Sequence, residues 1–367
     1  MSNNLKTIKT PGKLMIAGEF AVLQPYHQLA VLAVDRFVYA TIKTSAENLL
    51  SLSDFELENL VFTVDKQKIE IHTDDSRVQF VGDAMTIACT YLQEQNVLIT
   101  PFHLFIRSEL DDKSGVKYGL GSSAAVVTSV ITAILKTFLP YEPSKDTIFK
   151  LAAISHVFTQ GNGSGADVAA STYGGLLNYS SFQAEWLLRE YKQSTSVTAM
   201  LERKWTYYSV RTLELPEDVY FCVGWTGKAA STAKLVDEIL QLKQSNSVQF
   251  ENFLSNSKKA VDKFFKGMKE SNIPLLLEGV KENRRALAEV GNHANAPIET
   301  PLLSKLCDLA EQLGGAGKPS GAGGGDCGIA FMPSREKAEQ LFEAWEKAGI
   351  KPLAITPNLH GSIEIEE

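Results

Sequence analysis

Tyr118-Gly119-Leu120-Gly121-Ser122-Ser123-Ala124-Ala125 joins a glycine-rich turn directly to an apolar run. Backbone N–H groups at a helix start, left uncovered by glycine, form a ready anion site, and the neighbouring hydroxyls can serve Mg2+ or a phosphate oxygen. Two alternatives use the same residues. Serine is a favoured N-cap, which makes the segment equally an ordinary helix start. Gly119, Gly121 and Ala124 also nominally satisfy GxGxxG/A. That dinucleotide fingerprint needs a strand before it and an acidic residue closing a second strand about 20 residues later. Residues 109–117 are instead a charged, polar loop, and no such acid follows.

Two further segments have the composition of ligand loops. Residues 314–326 hold seven glycines, a density that lets backbone approach a ligand and that a packed core does not need. A flexible linker is the alternative, weakened by the regular helix before it and the apolar strand after it. Gly317-Lys318 looks like the end of a Walker motif, but Gln312 stands where its first glycine is required and Pro319 follows the lysine. Pro11-Gly12-Lys13-Leu14-Met15-Ile16-Ala17-Gly18-Glu19 places a lysine at the start of an apolar strand. Taken alone, Lys13 is best explained as a surface charge at a strand end.

The elements that must position these loops follow from periodicity. Val34 to Thr44 and Phe102 to Arg107 predict strands, and Arg77 to Gln95, Ser122 to Leu139 and Ser144 to Phe158 predict helices. Residues 161–165, with three glycines, are a loop. Tyr173 to Tyr179, Trp205 to Val210 and Tyr220 to Trp225 predict strands, and Ser231 to Gly291 predicts three amphipathic helices. Glu299 to Leu313 and Arg335 to Ala348 predict two more helices, with a strand at Cys327 to Phe331 between them and a closing strand at the end. Strands and helices mixed without regular alternation point to α+β.

A chain of 367 residues exceeds what one core usually supports, so two domains are expected, with the boundary near residue 212. With 36 Lys+Arg against 43 Asp+Glu there is no global basic field, so neither nucleic acid nor a membrane is an expected partner. Four dispersed cysteines form no CxxC pair, and the polar N-terminus lacks the apolar run of a secretory signal. A reducing, cytoplasmic setting is expected, with the chain starting at its first residue. The six histidines show no close metal spacing, and no GxSxG elbow supports a serine hydrolase.

The three glycine-bearing segments, in this order, resemble the signatures of the GHMP kinase superfamily over nearly the whole chain. Residues 11–22, 117–126, 224–227 and 320–330 look, more narrowly, like those of the bacterial phosphomevalonate kinases, Cys327-Gly328 after Asp326 being the most specific string. The resemblance implies a two-domain α+β fold. Residues 1–212 would form an N-terminal domain like domain 2 of ribosomal protein S5, and residues 213–367 a ferredoxin-like C-terminal domain. It implies ATP and Mg2+ as cofactors and 5-phosphomevalonate as acceptor. Lys117, Gly119, Leu120, Gly121, Ser122, Ser123 and Ala124 would wrap the nucleotide phosphates, Ser123 also contacting Mg2+. Lys13 and Asp167 would be catalytic, and Ser164, Gly165, Ser231, Ser320, Gly321, Ala322 and Gly323 would hold the acceptor. Two departures stand out. Mevalonate kinases carry a histidine after the first-signature glutamate, where this chain has Phe20, and they take an acidic Mg2+ ligand from a separate helix that has no evident match here.

Overall fold

The computed structural model describes residues 5–65, 68–111, 118–228 and 232–366, and two sheets organise them. The first contains β1 (Lys6–Ala17), β2 (Gln28–Thr44), β3 (Leu49–Leu52), β4 (Leu57–Asp65), β5 (Lys68–Ile71), β6 (Phe102–Ser108), β7 (Leu176–Ser180) and β8 (Ser209–Leu213). The second contains β9 (Tyr220–Trp225), β10 (Ala316–Pro319), β11 (Cys327–Met332) and β12 (Lys351–Leu353), and β13 (Ile363–Ile365) returns to the first. The large sheet runs β13-β1-β2-β6-β3-β4-β5, with β7 on β2 and β8 beyond it. At 17 residues, β2 is its spine: residues 28–32 pair with β7 and residues 38–44 with β6.

Helices α1 (Gln79–Glu94), α2 (Ser122–Phe138), α3 (Lys145–Gln160) and α4 (Ala166–Tyr173) share the large hydrophobic core with this sheet, and the short α5 (Ala184–Gln193) and α6 (Val197–Glu202) flank them. The run Leu29–Val34 is buried without alternation, because α2, α4 and, from later in the chain, α8 (Ser247–Lys269) all pack against β2. Helix α8 packs on α7 (Thr232–Ser245) and α9 (Ile273–Ala294), and these three with α10 (Pro301–Gln312) make up the chain between β9 and β10. With α11 (Arg335–Lys347) between β11 and β12, and the all-antiparallel order β10-β11-β9-β12, the second sheet has the split βαβ connectivity of a ferredoxin-like unit. Its own small core centres on Trp345, whose indole N–H donates to Leu306 O at 3.0 Å.

A break in the β1–β2 ladder shapes the site. Pro11 pairs with Phe37 but Gly12 with Val34, so Asp35 and Arg36 bulge out of β2. Proline is tolerated in this strand because it sits at the bulge, and bulges turn the next side chain to a new direction. That next side chain is Lys13.

Several expectations need correction. Lys13 is in the interior of a 12-residue strand that begins at Lys6, not at a strand start. The glycine segment 314–326 is not one loop: residues 316–319 are β10, fully buried and paired with β11. Tyr173 ends α4, a helix that three preceding glycines hid, and the strand expected from there begins at Leu176. Trp205 is a buried core residue ahead of β8, not part of a strand.

The chain crosses between sheets after Leu213, and its last described residues cross back. Ser362 Oγ bonds the hydroxyls of Thr10 (2.8 Å) and Thr132 (3.0 Å), tying the returning segment to β1 and α2. Gly361 lies so close to α4 that a Cβ there would stand 1.9 Å from Thr172 O, a backbone atom that cannot step aside. Gly361→Ala is therefore expected to destabilise the protein by about 1–3 kcal/mol, read as a lower thermal midpoint; an unchanged midpoint would mean that this segment does not dock as described.

Candidate active site

A cleft of about 1270 Å³ opens where loops of the first sheet meet the turn after β10. Its wall begins at α2. Gly121 precedes this helix in the left-handed region (φ 79°) and no side chain caps the helix start. By contrast α3, α8, α9, α10 and α11 are each capped by a Ser, Asn or Thr side chain. Uncapped N–H groups at the N-terminus of α2 therefore face the cleft beside Ser122 and Ser123, where the helix dipole favours an anion. Helix α4 starts the same way, at Gly165 (φ 74°), and puts Asp167 in its first turn.

Lys13 and Asp167 meet at Gly121. A Cβ at Gly121 would lie 3.0 Å from Lys13 Cε and 3.6 Å from Asp167 Cβ, so the absence of a side chain lets an amine and a carboxylate flank one turn. Lys13 Nζ donates to Gly119 O (3.0 Å), and Lys13 N donates to Leu120 O (2.8 Å). Asp167 accepts from Val168 N (3.0 Å) and forms no ion pair with Lys13 within 4 Å. Beneath it, Tyr179 donates to Ser164 O at 2.6 Å; burial first, and then the Asp167 charge, hold its phenol well above the ordinary value, so it remains a donor.

The turn after β10 closes the third side. Ser320 Oγ accepts from Met15 N (3.0 Å) and donates to Met15 O (2.9 Å), standing in for a ladder partner of β1. Below it lies Lys318, wholly buried, with Nζ 2.5 Å from Glu19 Oε1 and 2.6 Å from Pro319 O. Glu19 Oε1 also accepts from Gly321 N (3.3 Å), while Glu19 Oε2 is buried with no partner and the residue lines the cleft. Asp326 reaches the first loop, its carboxylate 2.8 Å from where a Cβ on Gly119 would be, and Cys327 Sγ donates to Tyr118 O at 3.1 Å. Ser123 Oγ lies 3.0 Å from His156 Nε2.

Such a site offers anion-binding N–H groups, the Lys13 amine, the carboxylates of Glu19, Asp167 and Asp326, and hydroxyls, which suits two polyanions rather than a hydride donor. Comparison with known proteins agrees. Residues 80–175 match the family model of the GHMP kinase N-terminal domain and residues 264–351 that of the GHMP kinase C-terminal domain. The chain belongs to the GHMP kinases. It is 32% identical to a phosphomevalonate kinase of Streptomyces sp. (strain CL190), over 98% of this chain and all of that one. It is 28% identical to a mevalonate kinase of Pyrococcus abyssi, covering 97% and 96%. Among solved structures, Lin0012 of Listeria innocua superposes with a TM-score of 0.93 at 39% identity, covering 99% of this chain and 100% of that chain. Streptococcus pneumoniae phosphomevalonate kinase in complex with phosphomevalonate and AMPPNP superposes at 0.83 and 26% identity, covering 96% and 99%. The two-domain α+β architecture is thus that of the GHMP kinase fold.

In this GHMP kinase, Lys13, Gly119, Leu120, Gly121, Ser122, Ser123, Ser164, Asp167, Ser320, Gly321 and Ala322 share one cleft wall. Ala124 lies wholly inside the core, Gly165 abuts Phe182 and Tyr179, and Gly323 faces Ile298, so these three shape the wall without forming it. Lys117 and Ser231 fall outside the described residues. Glu19, His156, Lys318 and Asp326 were not singled out by sequence; the one available signal was a lysine and an aspartate inside so glycine-rich a stretch. Among the described residues no trio of His, Cys, Asp or Glu forms a metal cage. Hydroxyl and carboxylate oxygens beside a phosphate cradle nevertheless fit Mg2+, which characteristically arrives on substrate phosphates and takes few protein ligands.

The buried pair makes a measurable demand on stability. Lys318→Met leaves the Glu19 carboxylate buried and unpaired and is expected to cost about 3–5 kcal/mol, whereas Glu19→Gln combined with Lys318→Met recovers much of the loss. Urea unfolding of both variants checks this; equal losses would show that the unpaired Glu19 charge is not what costs the single variant its stability.

Proposed function

We propose that this chain is a phosphomevalonate kinase, transferring the γ-phosphoryl group of ATP to (R)-5-phosphomevalonate to give (R)-5-diphosphomevalonate and ADP in the mevalonate route to isoprenoids. The observation that carries the reading is the meeting of Lys13 and Asp167 around Gly121 at an uncapped helix start, in a chain similar end to end to a phosphomevalonate kinase. The likeness to a structure binding phosphomevalonate and AMPPNP supports both substrates. Phe20, where mevalonate kinases carry histidine, is buried in an apolar cluster with Leu235, Ile239 and Phe253, so the chain departs from the mevalonate kinase pattern at this position.

The roles follow from charge. A phosphate monoester is already mostly dianionic at neutral pH and needs no base, but bringing two polyanions together needs neutralisation. The N–H groups of Ser122 and Ser123 and the Lys13 amine would take the nucleotide phosphates and the transferring group, with Lys117 beside them and Ala124 anchoring the helix start from the core side. Ser123 would face Mg2+, whose chemistry is to spread the phosphate charge. Ser164, Ser231 and residues 320–322 would hold the acceptor, with Gly165 and Gly323 shaping the turns that carry them. Asp167 would position it rather than abstract a proton. Lys13 is steadied by Gly119 O and not by Asp167, so its amine does not depend on the carboxylate for its place. We divide the chain near residue 212, where it passes from one sheet to the other, and place the enzyme in the cytoplasm. Four free, buried cysteines support that placement, as does the absence of any membrane-crossing helix among the described residues.

Coupled ADP release from Mg-ATP, with mevalonate and 5-phosphomevalonate in parallel, tests the acceptor. Turnover on the phosphorylated acid alone is expected, and turnover on mevalonate would replace it with the unphosphorylated alcohol. In the same assay Lys13→Ala is expected to lower kcat by about 100-fold or more and Asp167→Asn by much less. The reverse order would make Asp167 a general base and the acceptor an alcohol.

A further inference from the structure

His156 lies in α3, only 2% exposed, with its ring 5.5 Å from that of Phe80 and its Nε2 3.0 Å from Ser123 Oγ. The catalytic scheme makes no use of it. A serine hydroxyl carries one hydrogen and two lone pairs, and its hydrogen rotates freely unless something takes it. At a helix start facing phosphates and a cation, the rotor decides the chemistry: turned outward, the hydrogen repels the cation; turned inward, both lone pairs face the cleft. We propose that His156 is a positioning residue for the metal–nucleotide complex: its unprotonated Nε2 accepts the Ser123 hydrogen and so presents the Ser123 oxygen to the cation. An imidazole suits the place, since a carboxylate there would add negative charge where two polyanions already meet. Ring packing on Phe80 and the burial of α3 keep the imidazole from swinging away. The inference rests on the reading of Ser123 as the hydroxyl that faces the metal, and it is independent of which acceptor the enzyme uses.

Binding, not turnover, tests it. Calorimetric titration with Mg-ATP, and with ATP in excess EDTA, is made on the wild type, His156→Phe, Ser123→Ala and the double variant. His156→Phe keeps a ring against Phe80 and is expected to weaken Mg-ATP binding about tenfold while leaving metal-free ATP unchanged. In the Ser123→Ala background the same change should have no further effect. His156→Gln, which retains an acceptor, should bind Mg-ATP nearly as well as the wild type. Should the Phe variant not fold, His156→Asn, too short to reach Ser123, is expected to show the same selective loss. Equal weakening of both nucleotide forms would assign His156 to packing alone, no weakening would mean that Nε2 does not orient the hydroxyl, and a loss that persists without Ser123 would break the link between the two. Each of these overturns the proposal. No acceptor is present in these titrations, so a wrong acceptor assignment cannot produce any of these results.

Discussion

The contact between Lys318 and Glu19 constrains the whole site. Both charges are withdrawn from water, Lys318 completely, and they come from β10 of one sheet and the turn that follows β1 of the other. A pair so buried adds little net stability, since desolvation offsets most of the attraction. What it supplies is a steep penalty for any arrangement that parts the two groups. β10 cannot slide against the end of β1 without exposing one charge to an apolar interior, so the turn carrying Ser320 and Gly321 stays in register with β1. Around the pair, Phe20 and Ala21 share an apolar cluster with α7, α8 and α9, which holds the same seam by a non-directional force.

The cleft is built largely from backbone. Lys13 reaches its place through a bulge, two carbonyls of the Gly119–Leu120 turn fix it, and Ser320 completes a strand with a hydroxyl in place of a peptide. Glycine at 119 and 121 is required by both a left-handed backbone and the side chains of Asp326, Lys13 and Asp167 that crowd the missing Cβ positions. Sites of this kind hold phosphate by geometry fixed before the ligand arrives, which is the economical way to stabilise charge that shifts during transfer.

Much of this was legible in the sequence. Loops around Gly119 and Gly321 were evident from glycine density, and the three helices between residues 231 and 291 from their apolar periodicity. Lys13 and Asp167 were not recoverable from residue type alone, because nothing local separates them from surface charges; only resemblance singled them out. α4 escaped because three glycines in the preceding five residues read as loop, while the helix begins immediately after the last of them. β10 escaped because glycine and proline are poor strand formers, and only pairing to β11 makes Ala316–Pro319 extended. Glu19–Lys318 and Ser123–His156 join residues 299 and 33 positions apart, contacts that no periodicity or motif encodes.

The return of β13 to the edge of β1 has a consequence for synthesis. Thr7 through Lys9 face Ile363 through Ile365, so a strand made early is completed only after every other described strand has been made. Until β13 has emerged, the outer edge of β1 has no partner there, and an unpaired edge is a template for pairing with other nascent chains. Most of β1 can still be occupied early, since β2 follows directly and covers its other side along nearly the whole length. The large sheet can thus assemble during translation, while its final closure waits for β13.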